Sequence, residues 1–279
     1  MAIPCSAPKS LRSIAAAVGL LPVICGCADR VTPVELNFSA GYGDHTLSCT
    51  GASAGLQLTD LRFFVYDLKL IDQDGRPIPV GLLADGLWQD GNVALLDFED
   101  GQGACINGSV ESNRSVRGVV AGKNDGGPSR GISLTVGVPP DRNHRDPMTA
   151  KAPLNYTAMH WHWLNGYKFM RVGVSNESDH FWMHLGSSHC DGSISDGIEC
   201  RVSNRVAVTL GDFDPSQDRI VIDLEPLVTA VNLADGVGSD CSSGPDEIAC
   251  GAAFAAFGLP FGATTDATSQ RVFRSEQTP

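Results

Sequence analysis

From Val34 to Leu224 the chain is cut into short apolar runs with a period of two, each closed by glycine, proline, asparagine or aspartate. That period places alternate side chains on opposite faces of a strand, and turns at this density leave little room for long helices. Val34 to Ala40 reads as a strand and Leu61 to Ile71 as the longest one. Asp72-Gln73-Asp74-Gly75 then predicts a hairpin into Arg76 to Val80. Further strands are expected at Val93 to Phe98, Tyr167 to Val174, His180 to Leu185, Val206 to Leu210 and Ile220 to Leu224. Ser115 to Ala121 and Gly131 to Val136 are β-branched, and the turn residues between them predict a second hairpin. With no βαβ alternation, the pattern implies an all-β, antiparallel β-sandwich with long loops. Pro226 to Leu233 and Ala249 to Phe257 read as short C-terminal helices, the second stopped by Gly258-Leu259-Pro260.

Lys9 and Arg12 precede an apolar run, Ser13 to Ile24, too short to span a bilayer. That is the layout of a secretory signal, assigned here to residues 1–27. Ile24-Cys25-Gly26-Cys27 resembles a bacterial lipobox, with Cys27 as the lipid anchor and the periplasm or outer membrane as destination. Residues 28–261 read as one domain and 262–279 as a polar, frayed tail. Six cysteines follow the signal: Cys49, Cys105, Cys190, Cys200, Cys241 and Cys250. An even number in an exported chain implies a disulfide framework. Local spacing favours Cys190–Cys200 and Cys241–Cys250, leaving Cys49–Cys105. A net charge of −12 and an isoelectric point near 4.9 argue against nucleic acid as a partner.

Chemistry concentrates in one region. Five of the seven histidines and three of the four tryptophans lie between residues 160 and 189, so one site is a better reading than scattered surface residues. In the string His160-Trp161-His162-Trp163, an extended backbone puts the two imidazoles on one face and the two indoles on the other. Such a pair is spaced for one late transition metal. His180, Trp182 and His184 alternate in the same way, so strand pairing would bring His184 across to His160 and His162. Imidazoles without thiolates suit copper or zinc, and a nearby Met159 or Met183 would lean toward Cu(I). The proline-rich loop from Val138 to Leu154, which carries His144, is long enough to be functional. Asp97-Phe98-Glu99-Asp100-Gly101 offers oxygens to calcium but lacks the alternation of an EF-hand, so a solvated acidic turn is the commoner reading. No GxSxG, Walker A, dinucleotide-binding glycine fingerprint or HExxH occurs.

Met159-x-Trp161-x-Trp163-x-x-Gly166-Tyr167-Lys168-Phe169 resembles the signature of the MbnP-like proteins, the "metallo-mystery pair" four-Cys group related to the MopE/CorA copper proteins. Gly137-Val138-Pro139 with Asn143-His144, Pro153-Leu154-Asn155, His184-Leu185-Gly186-Ser187 and Phe213-Asp214-Pro215 follow the same order, so the resemblance spans Val34 to Pro260. It implies an exported copper-binding sandwich rather than an enzyme. Copper, as Cu(I) or Cu(II), would sit between histidines and a tryptophan that a di-haem cytochrome c peroxidase-like partner oxidises to kynurenine. His144 and His184 match family histidines, and Trp161 and Trp163 match its tryptophans, with Trp161 favoured as the modified one. His160 and His162 fall at variable positions and are additions of this chain. The competing expectation is an exported structural or interaction sandwich that holds no metal.

Overall fold

The longest alternating run becomes the strand on which the fold is built. The computed structural model describes residues 31–121, 129–229, 240–244, 247–262 and 269–278. The expected signal and the Cys27 anchor lie outside the described residues. The first strands are β1 (Val31–Tyr42), β2 (His45–Thr46), β3 (Gln57–Ile71), β4 (Pro77–Leu82), β5 (Gln89–Asp90), β6 (Val93–Asp97), β7 (Ser115–Ala121) and β8 (Gly131–Val136). They are followed by β9 (Lys168–Ser175), β10 (His180–Gly186), β11 (Ser188–Ser193), β12 (Gly197–Val202), β13 (Val206–Gly211) and β14 (Asp218–Asp223). Two short helices, α1 (Glu225–Val228) and α2 (Ile248–Ala256), precede β15 (Phe273–Gln277). No helix among the described residues is long and apolar enough to cross a membrane.

Strand β3 organises the sheet because it pairs along both edges. The N-terminal half of β3 lies between β9 and β6, and its C-terminal half lies between β8 and β4. From β4 the path continues through β7, β1 and β14 to β15, while β10 flanks β9 and β13 flanks β8. The two ends fold over one another. Phe63 of β3 meets Phe38 of β1 at 6.0 Å and Phe273 of β15 at 5.9 Å, both edge to face. Around that contact lies the main core, with Leu36, Leu61, Val65, Val116, Val172, Phe181 and Ile220 fully buried. All three disulfides expected from spacing are present: Cys49–Cys105, Cys190–Cys200 and Cys241–Cys250.

Three expectations are corrected, and one runs beyond the described residues. β7 and β8 do not form a hairpin: β7 pairs with β1 and β4, and β8 with β3 and β13. Both runs alternate equally well, so alternation fixes their faces but not their partners. The sandwich is not wholly antiparallel, because β1 and β14 run parallel, Phe38 opposite Ile220. The first helix ends at Val228 among the described residues, and its expected extension to Leu233 falls outside them. The tail read as frayed contains β15, which pairs with β14 from Asp218 opposite Gln277 to Ile222 opposite Phe273. One large apolar residue anchors it, while Arg274 and Glu276 pair with each other and Glu276 with Arg219 on the polar side. Phe273→Ala is therefore expected to cost about 3 kcal/mol in denaturant unfolding. A frayed tail would lose nothing.

Candidate functional site

β3 is buried on both faces. Leu61, Phe63 and Val65 point into the main core, and Asp60, Arg62 and Phe64 into a second layer on the outer side. That layer is roofed by residues 138–167. Phe64, Val138, Leu154, Met159, Tyr167 and Phe169 pack there as a small apolar cluster. Phe64 and Tyr167 meet edge to face at 5.8 Å, and the Tyr167 hydroxyl donates to the Leu154 carbonyl. Beside the cluster, Arg62 is paired with Asp97 at 3.3 Å and with Glu99, and Arg171 with Asp60. Three buried carboxylates thus face two guanidiniums. Burial, and then the neighbouring Asp60, pushes the Glu99 carboxyl up to about 9, so a proton supplies the missing positive charge. Asp97 and Glu99 are therefore not a solvated acidic turn. Both carboxylates are already paired with the Arg62 guanidinium.

The His160–Trp163 string is not a strand. A 3₁₀ turn, Thr157–Met159, leads into a single bridge between His160 and Tyr167. The chain between them doubles back, with Trp161 N–H donating to Gly166 O at 3.1 Å and Gly166 N–H to His162 O at 2.8 Å. Gly166 has φ +74°, and a Cβ there would overlap the Asn143 carbonyl, which accepts from Tyr167 N–H. Glycine is needed at this position for conformation and for closeness of approach. The turn separates the motif differently from strand alternation. His160 and Trp161 are half-buried against the sheet, while His162 is exposed and Trp163 keeps 44% of its surface in solvent. The His162 Nδ1 accepts from Leu164 N–H at 3.3 Å.

Strand β10 supplies the other imidazole. His184 pairs in register with Arg171 of β9, and Arg171 with Arg62 of β3. The opposite edge of β10 is held by residues 240–243: Cys241 N–H donates to Trp182 O, His184 N–H to Cys241 O, and the Ser243 hydroxyl to His184 O. The Cys241–Cys250 disulfide ties this clasp to α2. Gly186, two residues further on, is where the Trp161 ring lies, and any Cβ there would overlap it. Trp161 therefore sits beside His184 on the outer face of β10. Lys168, opposite Gly186, donates to the Ala158 carbonyl at 3.0 Å, just ahead of His160. Sequence reading missed Lys168, Arg171 and Asp60, although their place on the GYKF strand and its neighbour was visible.

The imidazoles differ in what they are bonded to. His160 Nε2 and His184 Nε2 are buried and have no hydrogen-bond partner among the described residues. His144 is fully engaged: Nδ1 lies 3.1 Å from the Trp163 carbonyl, and Nε2 lies 3.2 Å from the Asn143 amide and 3.4 Å from Cys200 Sγ. Met159 is sealed in the outer apolar cluster and Met183 in the main core, on the strand face opposite His184. Burial, then the positive charges of Arg171 and Lys168, pushes His184 down to about 4. His160 is lowered chiefly by burial, as is His144. All three rings stay neutral at physiological pH, the form that ligates metals.

The sign of the pH dependence follows. His184 titrates at about 4 when folded against 6.5 for an ordinary imidazole. Between those values the unfolded chain binds more protons, so stability is complete above the upper value and is lost as pH falls through the lower one. The Glu99 carboxyl, held at about 9 against 4.5 for an ordinary glutamate, stays protonated in the folded protein while the unfolded chain ionises, so it contributes a slope of opposite sign above 4.5. The His184 share is read as a difference: by denaturant titration, the unfolding free energy of the wild type relative to His184→Gln is expected to fall from pH 6.5 to pH 4. A slope that His184→Gln leaves unchanged would contradict the buried neutral ring.

No curated protein matches this chain. The solved structure of MbnP from Methylosinus trichosporium shares the fold, with a TM-score of 0.73 and 24% sequence identity, over 90% of this chain and 100% of that one. The MbnP family model matches residues 31–243, which takes in β1, the outer roof, the turn at Gly166 and the half-buried His144, His160 and His184. The chain belongs to the MbnP family.

Proposed function

We propose that this protein is an exported copper-binding protein of copper uptake or handling, and not itself an enzyme. The observation that carries the reading is that two buried imidazole nitrogens, His160 Nε2 and His184 Nε2, have no hydrogen-bond partner among the described residues, while Trp161 lies against Gly186, two residues from His184. A buried polar atom without a partner costs free energy unless a ligand satisfies it. Neutral imidazole donors suit copper. Lys168 and Arg171 place positive charge nearby, which opposes a dication more than a monocation and so favours Cu(I). Family membership supports the same conclusion.

In this reading Trp161 is the residue oxidised to kynurenine by a di-haem cytochrome c peroxidase-like partner. Trp161 lies against Gly186, two residues from His184, whereas Trp163 points to solvent on the His144 side. A ring-opened Trp161 would present carbonyl and aniline donors beside the two imidazoles. The protein would work in the periplasm or at the outer membrane, held by a lipid on Cys27.

Cu(I) competition with a chromogenic chelator tests the ligand set. His160→Ala and His184→Ala are each expected to weaken binding at least about tenfold, and His162→Ala to leave it unchanged. Intact mass of protein made with and without the di-haem partner tests the modification. Trp161→Phe is expected to abolish the partner-dependent mass gain and Trp163→Phe to preserve it. Protein that holds no copper and gains no mass in the partner's presence would sink the reading.

A further inference from the structure

The third region rich in ligand atoms lies outside the site just described. Cys190, Cys200 and the His144 ring bring two sulfurs and an imidazole nitrogen within 4.8 Å of one another. The sulfurs form a disulfide and are poor ligands in that state. We propose that this disulfide is a redox-gated metal site: reduced by an external dithiol, Cys190 and Cys200 join His144 Nε2 to hold one soft d¹⁰ cation of the Zn(II) or Cu(I) type.

Three observations support it. The first is accessibility. Cys49, Cys105, Cys241 and Cys250 are at most 1% exposed, whereas Cys190 and Cys200 are only half-buried, so a reductant in solution reaches this bridge first. The second is that the ribbon does not depend on the bridge for its register. β11 and β12 pair from Ser188 opposite Val202 to Ser193 opposite Gly197, with Cys190 directly across from Cys200. The Ser187 hydroxyl donates to the Ser203 carbonyl at 3.1 Å and the Asn204 amide to the Gly186 carbonyl at 2.8 Å, which fastens the base of the ribbon to the sheet. The two thiols therefore remain opposed after the S–S bond opens.

The third is the orientation of the imidazole. The Trp163 carbonyl accepts from His144 Nδ1–H, so that nitrogen carries the proton and Nε2 keeps its lone pair. That lone pair faces Cys200 Sγ at 3.4 Å. A ring whose far nitrogen donates to a carbonyl is the usual arrangement of a metal-ligating histidine. The Asn143 amide, 3.2 Å from Nε2, is the contact an incoming ion must displace.

The chemistry balances as ordinary exchange. The external dithiol gives two electrons and two protons to the protein disulfide, breaking one S–S bond and forming another in the donor. The cation then displaces both thiol protons to solvent and is held by two thiolates and one imidazole, a donor set suited to a soft d¹⁰ ion. The proposal does not rest on copper binding at His160 and His184, because it shares no ligand with them.

The test uses the full mature chain and Zn(II), followed by competition with a chromogenic chelator. After mild dithiol treatment, alkylation and peptide mapping are expected to find free thiols at Cys190 and Cys200 alone. One further equivalent of Zn(II) should bind in the reduced protein. The gain should vanish in Cys190→Ser/Cys200→Ser and weaken at least about tenfold in His144→Ala, while His160→Ala and His184→Ala leave it intact. Far-ultraviolet circular dichroism of Cys190→Ser/Cys200→Ser keeps the result interpretable, since a native spectrum shows that the ribbon survives without its bridge. Reduction with no gain in Zn(II), a gain that His144→Ala leaves untouched, or loss of the native spectrum in the serine variant would each overturn the proposal.

Discussion

The outer face of β3 sets the terms for everything around it. A strand with Asp60, Arg62 and Phe64 on one side and Leu61, Phe63 and Val65 on the other cannot leave either face in water. The inner face is covered by the other half of the sandwich. The outer face needs both an apolar lid and partners for a guanidinium, and residues 138–167 with Asp97 and Glu99 supply them. Buried ion pairs are weak stabilisers but costly to break, because removal of one member strands the other. The long loop is thus held down by the requirements of the strand beneath it, which is what turns a loop into a rigid support for a site.

That support explains the state of the histidines. Arg171 neutralises Asp60, extends toward β10 and lies beside His184, where with Lys168 it keeps a proton off the ring. The same network that balances charge under the loop therefore prepares a neutral imidazole at its edge. From the other side, the clasp at 240–243 fixes the backbone of His184 through Cys241 and Ser243. A strand edge pinned by a disulfide-tied segment is far less mobile than a free one, and ligand geometry depends on that rigidity.

Legibility in the sequence tracked burial contrast. β3, β9, β10, β13 and β14 were visible because their apolar residues repeat with a period of two or fill the strand. β11 and β12 were not, since a ribbon such as Ser188–Ser193 is polar on both faces and owes its form to backbone pairing. β15 was hidden for a related reason: Phe273 is its only large apolar residue, and Arg274 and Glu276 look like tail. The false hairpin between β7 and β8 has another cause. Alternation states which side chains share a face and says nothing of which strand lies alongside. At the site, His184 and the indoles were found by pattern. Arg171 and Asp60 were missed, because charged residues in a strand read as solvent-facing until a loop covers them.

The same lesson bears on His160-Trp161-His162-Trp163. Strand alternation would pair the two histidines and separate them from the tryptophans. The turn closed by Gly166 instead cuts the string in the middle. His160 packs edge to face on Tyr167 at 4.9 Å, and Trp161 lies against Gly186 of β10, two residues from His184. His162 and Trp163 go outward together, and the Trp163 carbonyl becomes the acceptor that orients His144 toward the Cys190–Cys200 bridge. One glycine with φ +74°, seated on the Asn143 carbonyl, therefore determines the surroundings of both His160 and the sulfur-facing His144. A residue with a side chain at position 166 would have to move Asn143, and with it the neighbouring His144, before it disturbed a single proposed copper ligand. The conformation of that turn, more than the spacing of the histidines, sets where these side chains go.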